Sequence, residues 1–273
     1  MTRITLLTDF GTADGYVAAM KGVIAAIAPE ARVEDAAHDV PPGDVVGAAW
    51  TLGRYWRLYP PGTVHVVVVD PGVGSERRGL AGRVDGRFVV APDNGVLTWV
   101  LAEAGSVELV ALENPAYRRE EVSATFHGRD IFAPAAAHLA RGVALEALGP
   151  RVPDPVRFDL PQPEVVEGGF RGTVVHVDRF GNLITNIPGD RLRQVRRVVV
   201  AGRVVGPLRR TYADVAPGEA LALVGSAGLL EVSVRDGNAA ALLGAGRGAE
   251  VRVELDDGAG LADPAMARRP RST

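Results

Sequence analysis

The sequence predicts an α/β N-terminal domain with a mainly parallel, layered sheet, followed by a smaller all-β C-terminal domain of barrel-like or sandwich-like form. Three observations carry this expectation. Up to about residue 150, apolar β-branched runs alternate with stretches of helical periodicity, the order that builds a parallel sheet covered by helices. The proline-rich stretch "GPRVPDPVRFDLPQPEVVEGG" then breaks the pattern and reads as an extended connector. Beyond it come only short strands separated by Gly, Asp and Pro, a barrel or sandwich signature. The expected boundaries are an α/β domain over 1–152, a linker over 153–168, a β domain over 169–258 and a disordered tail over 259–273.

Taken in order, "RITLLTD" reads as a strand and "YVAAMKGVIAAIAP" as a helix with Val17, Met20, Ile24 and Ile27 on one stripe. A short strand around "ARVEDA" and a helix in "DVVGAAWTLGRYWRLY" follow, the latter closed by "PPG". "VHVVVVD" is apolar enough to be a strand buried on both faces, ending at Asp70. "RVDGRFVVAP" carries an Asp-Gly hairpin signal, "GVLTWVLAEAG" is helical and "VELVAL" is a strand. "RDIFAPAAAHLARG" is a helix interrupted near Pro134. In the second half "FRGTVVHVD", "RVVVAGRVV", "ALALVGS", "LLEVSVR" and "AEVRVEL" are the strands, and there are no internal repeats.

With 273 residues the chain is long enough for two modest cores. A net charge of -3 with no long basic run argues against nucleic acid as a partner, because neutralising phosphates takes clustered Lys and Arg. There is no cysteine, which excludes disulfides, thiolate-bound zinc, iron–sulfur clusters and a thiol nucleophile. Asp9 falls too early for a signal peptide and no apolar run reaches membrane-spanning length, so a cytoplasmic protein without a membrane partner is expected.

Several residues are candidates for chemistry. Asp9 ends the first strand and Asp14 precedes a helix; turn formation and helix capping account for them about as well as a pair of carboxylates at a ligand crevice. Asp70 opens an Asp-Pro-Gly type II turn signal, and Arg77 and Arg78 lie in the loop beyond it. The glycine-rich "GVG" forms neither a P-loop nor a dinucleotide fingerprint. His127 lies in a loop ahead of a helix, where scaffolded chemistry tends to sit, whereas His138 within "AAAHLA" reads as structural. In the β domain Asp178, Phe180, Asn182, Asn186, Tyr212 and Ser226 stand among turns. They read either as hairpin corners or as an aromatic platform with an amide suited to an adenine edge.

Each signal is modest alone. Their series, "TDFGTADGYV", "DVPPGDV", "VVVVDPGVGSERR", "PDNGVL", "TFHGRDIFAP", "VDRFGNLITNI", "TYADV" and "GNAA", closely resembles the S-adenosyl-L-methionine (SAM) hydroxide adenosyltransferase family over roughly residues 3 to 255. These SAM hydrolases are related to the fluorinases and chlorinases.

The resemblance implies hydrolysis of SAM to adenosine and L-methionine by attack of a water-derived nucleophile on ribose C5′, with no cofactor. The leaving group is a neutral thioether departing from a sulfonium, so the demand falls on the nucleophile, and bulk water with a pKa near ~15.7 needs help. By the family spacing that help comes from Asp70, Arg77 and His127. Asp70 and His127 position and deprotonate the water, and Arg77, preferred over Arg78, orients Asp70 and stabilises developing hydroxide character. The halogenase relatives lack the matching Asp and His, and a carboxylate repels halide, which favours water. For binding, the resemblance places Asp9 on the ribose hydroxyls, Asp14 near the methionine ammonium, Tyr212 stacked on adenine, Asn182 on the adenine edge, and Asp178 and Ser226 near the methionine part; Phe180 is a substrate-binding candidate from its own place among the turns. Where the fluorinases carry a tryptophan near the ribose and an arginine after the serine, this chain has Gly43 and Ala227. The resemblance further implies a homotrimer with each site between the N-terminal domain of one subunit and the C-terminal domain of the next. The rival expectations are a SAM- or adenosine-binding protein without turnover and a halide-using adenosyltransferase.

Overall fold

The computed structural model describes residues 2–256, which fall into two compact units divided between Asp159 and Leu160. The tail expected from residue 259 lies outside the described residues. Among the described residues no helix is long and apolar enough to cross a membrane.

The N-terminal unit is a three-layer α/β sandwich. Its elements are β1 (Arg3–Thr8), α1 (Tyr16–Ile27), β2 (Arg32–Ala37), α2 (Val45–Tyr55), β3 (Val64–Val68), β4 (Gly79–Val84), β5 (Arg87–Pro92), α3 (Thr98–Glu103), β6 (Val107–Ala111) and α4 (Ala133–Ala140). The six strands run in the order β2-β1-β3-β5-β4-β6. Pairings among β2, β1, β3 and β5 are parallel, while β4 runs antiparallel to both β5 and β6. The hairpin joining β4 to β5 turns at Asp85 and Gly86, both with positive φ, the geometry the Asp-Gly pair predicts.

Strand alternation explains the layering. Ile4, Leu6, Val64, Val66 and Val68 face a core shared with Met20 and Ile24 of α1 and Ala136 of α4. Leu7, Val67 and Val69 face the opposite core, with Leu52 of α2 and Val100 and Leu101 of α3. Every residue of β3 is buried, so each valine contributes on the order of 1.5–3 kcal/mol of apolar burial. Ile27, expected on the buried stripe of α1, is only half-buried because the helix ends there. The interruption expected near Pro134 is a π-helical turn over Gly128–Phe132 that runs directly into α4, with Pro134, which has no N–H to donate back into that turn, at the junction.

The C-terminal unit contains β7 (Glu164–Val166), β8 (Gly169–Val177), β9 (Leu183–Pro188), β10 (Val195–Val200), β11 (Arg203–Gly206), β12 (Ala220–Val224), β13 (Leu229–Val234), α5 (Ala239–Leu243) and β14 (Glu250–Leu255). The sheet order is β11-β10-β14-β8-β9-β13-β12, all neighbours antiparallel, with β7 pairing β8. A bridge from Leu208, just after β11, to Ala222 of β12 joins the two ends of this order, so the sheet closes nearly into a barrel. Its core includes Phe170, Leu183, Ile187, Val198, Leu230 and Val253. Strand β7 lies inside the stretch expected to be linker, and β9 lies in a segment read as hairpin corners.

Candidate active site

Two parallel strands emerging side by side build the crevice. Beyond the register pair Thr8 and Val68, the chain continues from β1 into Asp9 and from β3 through Val69 into Asp70. From β1 the chain passes to β2 on one side and later to β3 on the other, so this is a topological switch point, where open α/β sheets hold ligands. A cavity of about 240 Å³ opens there, lined among others by Asp9, Phe10, Asp70, Phe126 and His127. Phe10 and Tyr16 each meet Phe126 edge-on, at 5.8 and 5.3 Å between ring centres, and Phe10 and Phe126 give the cavity an apolar wall.

Asp70 and Arg77 form a bidentate pair. Nε of Arg77 donates to Oδ1 of Asp70 at 2.8 Å and Nη2 donates to Oδ2. Their side chains are 5% and 10% exposed, so little water competes for the pair. The turn between them differs from the expected type II form. Val73 N–H donates to the Asp70 carbonyl at 3.1 Å, Gly72 does not have positive φ, and the left-handed residue is Gly74 at φ 79. A Cβ on Gly74 would lie 2.5 Å from the Ala124 carbonyl oxygen, so this glycine lets the turn press against the segment that leads to His127.

His127 immediately precedes the π-helical turn, and its Nδ1 lies 2.9 Å from Nη2 of Arg77. A guanidinium only donates. The lone pair of Nδ1 therefore accepts, and the neutral ring carries its proton on Nε2. Burial first, and the Arg77 charge second, lower the His127 pKa below its ordinary value, against the opposing charges of Asp70 and Asp130. Asp130 itself is fully buried and ties this segment down: it accepts from Arg119, from Arg129 and from Ser123 N–H. Burial disfavours its ionised form, but these donors outweigh that effect and hold its pKa below the usual value.

Arg78, adjacent to Arg77 in sequence, faces elsewhere and pairs with Asp93 and Asp154. Asp9 accepts from Gly43 N–H at 2.8 Å, 34 residues along the chain, rather than from its own turn. Asp14 is exposed and does not cap α1, whose N-cap is Gly15 without a side-chain bond. His138 sits in α4 edge-on to Tyr117.

The remaining candidates belong to the C-terminal unit. A cavity of about 750 Å³ is lined there by Phe180, Asn182, Tyr212 and Arg235 among others. Phe180 is 73% and Tyr212 44% exposed. The Tyr212 hydroxyl donates to Glu231 at 2.7 Å, and Ser233 donates to the same oxygen at 2.9 Å. Burial first, then this carboxylate, push the Tyr212 pKa up to about 12. Asp178 organises the preceding turn: it accepts from the N–H groups of Phe180 and Asn182 and from the Asn182 amide, each at 2.9 Å. Asn186 accepts from Thr173 N–H and donates to the Pro161 carbonyl, a structural role. Ser226 is exposed in the β12–β13 hairpin and does not line this cavity.

Asp93, Asn94 and Asp130 lie within the motifs "PDNGVL" and "TFHGRDIFAP" and Glu231 within the strand "LLEVSVR", but nothing local in the sequence distinguishes any of the four. Among the described residues no group of three or more His, Asp or Glu side chains is arranged to hold a metal ion.

Models of the SAM hydroxide adenosyltransferase N-terminal and C-terminal domains match residues 4–149 and 172–252. A protein named (R)-S-adenosyl-L-methionine hydrolase from Salinispora arenicola is 44% identical over 253 residues, covering 92% of this chain and 97% of that one. A protein named fluorinase from Nocardia brasiliensis is more distant, 31% identical over 267 residues, with 84% of this chain and 89% of that one covered. The crystal structure of an uncharacterized conserved protein from Thermotoga maritima matches with a TM-score of 0.85 at 39% identity, covering 92% of this chain and 99% of that one.

Proposed function

We propose, because the chain belongs to the SAM hydroxide adenosyltransferase family, that it hydrolyses S-adenosyl-L-methionine to adenosine and L-methionine. The observation that carries this reading is the Asp70–Arg77–His127 cluster, charged and hydrogen-bonded, beside a cavity at the switch point of the sheet. In the reaction a water oxygen forms a bond to ribose C5′ while the bond from C5′ to the sulfonium sulfur breaks. The electron pair of that bond stays on sulfur, which leaves as the neutral thioether of methionine.

The contact between His127 Nδ1 and Arg77 supports one division of labour between His127 and Asp70. With Nδ1 facing Arg77, the ring offers Nε2–H and so donates to the water oxygen rather than taking its proton. The proton passes to Asp70, whose oxygens accept one bond each from Arg77 and retain further lone pairs. A carboxylate held by a guanidinium is a weak base. It suffices because the water becomes strongly acidic only as its bond to carbon forms, so free hydroxide is never required. Base catalysis of this kind supplies about 10²–10⁴-fold, and alignment of water, C5′ and sulfur supplies the rest.

The binding assignments rest on the family pattern: Asp9 to the ribose hydroxyls, Asp14 to the ammonium, Tyr212 to the adenine face, Asn182 to its edge, and Asp178 and Ser226 to the methionine part; Phe180 joins Tyr212 because it lines the same cavity. The exposed rings beside the C-terminal cavity support the adenine assignment. The reading extends to a cytoplasmic homotrimer in which the N-terminal unit of one subunit and the C-terminal unit of the next complete each site, and it requires no cofactor.

The test is chromatographic analysis of purified protein with SAM, with and without chloride. Equimolar adenosine and methionine, independent of chloride and lost in His127→Ala, is the expected result. Binding without turnover, or a chloride-dependent halogenated nucleoside, overturns the reading.

A further inference from the structure

The motif "PDNGVL" supplies Asp93 and Asn94 just beyond β5, and neither residue lines the N-terminal cavity. Their position follows from topology. In the sheet order β5 lies between β3 and β4, so the chain leaving β3 must cross the end of β5 before it enters β4. That crossing segment is the turn that carries Asp70 and Arg77.

Asn94 holds one side of the crossing. Its Nδ2 donates to the Val69 carbonyl at 2.9 Å, the peptide immediately before Asp70. Its Oδ1 accepts from Val96 N–H at 3.1 Å, which fixes the orientation of the amide. Asp93 holds the other side. Its backbone N–H donates to the Arg78 carbonyl at 2.9 Å, and its Oδ2 accepts from Arg78 Nε at 2.8 Å. Asp93 is 6% exposed and its other oxygen accepts from Val156 N–H. Arg78 is further tied to the carboxylate and carbonyl of Asp154. The peptides flanking the Asp70-to-Arg77 segment are therefore fastened to adjacent residues at the end of one strand, and that strand is registered to both of its neighbours.

We infer that Asp93 and Asn94 form a two-sided clamp that positions the Asp70–Arg77 pair, and through Arg77 the imidazole of His127. A turn containing Gly72 and Gly74 has many accessible conformations when free, whereas a bidentate pair with a third contact tolerates only small errors of placement. Both residues are positioning residues, since they act through the Val69 backbone and through Arg78. The inference rests on the reading of Asp70, Arg77 and His127 as the water-activating set.

Two variants and two readouts test it. Asn94→Asp removes the donor to Val69 while keeping an acceptor for Val96. Arg78→Ala removes the side-chain ties of the other side, to Asp93 and Asp154, from a partly exposed position and leaves the backbone bond to Asp93 in place, so it remains informative where Asn94→Asp fails to fold. In either folded variant kcat for SAM hydrolysis falls on the order of 10- to 100-fold while KM changes by less than about threefold, and Arg78→Lys recovers part of the loss. Nitrogen-15 NMR of the imidazole shows the Nε2–H tautomer in the parent protein and a mixture of tautomers in the variants. Folded variants with parental kcat overturn the clamp. So does a loss of activity that leaves the His127 spectrum unmoved, since that marks a general structural role. A parent protein that does not hydrolyse SAM overturns the hydrolase reading instead, and the His127 spectra alone then decide whether the clamp exists.

Discussion

Nη2 of Arg77 lies 2.9 Å from Nδ1 of His127, so a permanent cation donates to the one ring nitrogen that has a lone pair to offer. The same guanidinium grips both oxygens of Asp70 and its charge lies 5.2 Å from the ring centre of Phe132. One side chain thus orients the carboxylate, selects the imidazole tautomer and supplies positive charge at the cavity edge.

Arg77→Lys is therefore not a conservative change. A lysine ammonium can meet Asp70 but cannot make the parallel pair and reach His127 together. The expected result is a fall in kcat of about 10²-fold with little change in KM, as for other losses of alignment. Steady-state kinetics decide it, and a lysine variant within about tenfold of the parent would show that charge alone is what the site needs.

The pH dependence follows from the same contact. On the proposed mechanism His127 acts as the neutral tautomer, and its pKa is lowered by burial and then by Arg77. Activity is then full above that lowered pKa and is lost as pH falls through it, because the protonated ring puts a hydrogen on Nδ1 against an Arg77 donor. The acid limb of kcat/KM lies below the ordinary histidine value of 6.5. In an NMR titration Asp70→Asn moves the His127 midpoint lower still, since the Asp70 charge raises it, and Arg77→Ala moves it up. Midpoints that shift in the opposite directions would sink this account.

Much of the N-terminal unit was legible because its signals are local. Consecutive valines in β3 marked a strand covered on both faces, and the Asp-Gly pair marked the β4–β5 hairpin. Strand β9 was not legible, because Thr185 and Asn186 interrupt its apolar pattern. Both are buried, and Asn186 is satisfied by Thr173 and by the Pro161 carbonyl, contacts made far along the chain. The same limit applied at the candidate site. Asp70, Arg77 and His127 could be named from motifs, but the tautomer of His127, the separate role of Arg78 and the buried Glu231 under Tyr212 depend on approaches between distant segments.

Glu231 is 7% exposed and shares its Oε1 between the Tyr212 and Ser233 hydroxyls. Tyr212→Phe keeps the ring but removes one donor from a buried carboxylate, at a cost of about 1–3 kcal/mol. Chemical denaturation measures that loss, and weaker binding of adenosine is expected alongside it as the ring is freed. Unchanged stability would mean that the hydroxyl exchanges its partner for water without penalty.

His65 in β3 predicts a separate, structural pH dependence. It is fully buried, with Nδ1 2.8 Å from Thr5 Oγ1 and the rings of Tyr55 and Tyr59 edge-on at 5.5 Å. Burial first, then the charge of Arg87, push its pKa down to about 4 against a weaker opposing effect of the Trp56 backbone. The unfolded chain takes up this proton near 6.5. The stability it contributes is thus complete above about pH 6.5 and is lost as pH falls toward about 4, roughly 3 kcal/mol over that window. Urea unfolding across the range measures it, and His65→Gln flattens the dependence while lowering stability at neutral pH. Parallel curves for the two proteins would place the effect elsewhere.

Gly74 combines two constraints that a single substitution can separate. Its φ of 79 strains any side-chain-bearing residue, and an added Cβ would sit 2.5 Å from the Ala124 carbonyl oxygen, which is backbone and cannot swing aside. Gly142, at the end of α4 with φ 88, has the first constraint without the second, since a Cβ there meets nothing within 4 Å. Gly142→Ala is expected to cost about 1 kcal/mol of stability and leave turnover unchanged. Gly74→Ala is expected to cost more, about 1–3 kcal/mol, and also to lower kcat, because relieving the contact moves Ala124 and with it the segment that sets His127 against Arg77. Thermal unfolding and kinetics on the two variants separate strain from displacement. Equal kinetic behaviour would mean that the His127 segment tolerates the shift, and that the approach of Gly74 to Ala124 serves stability alone.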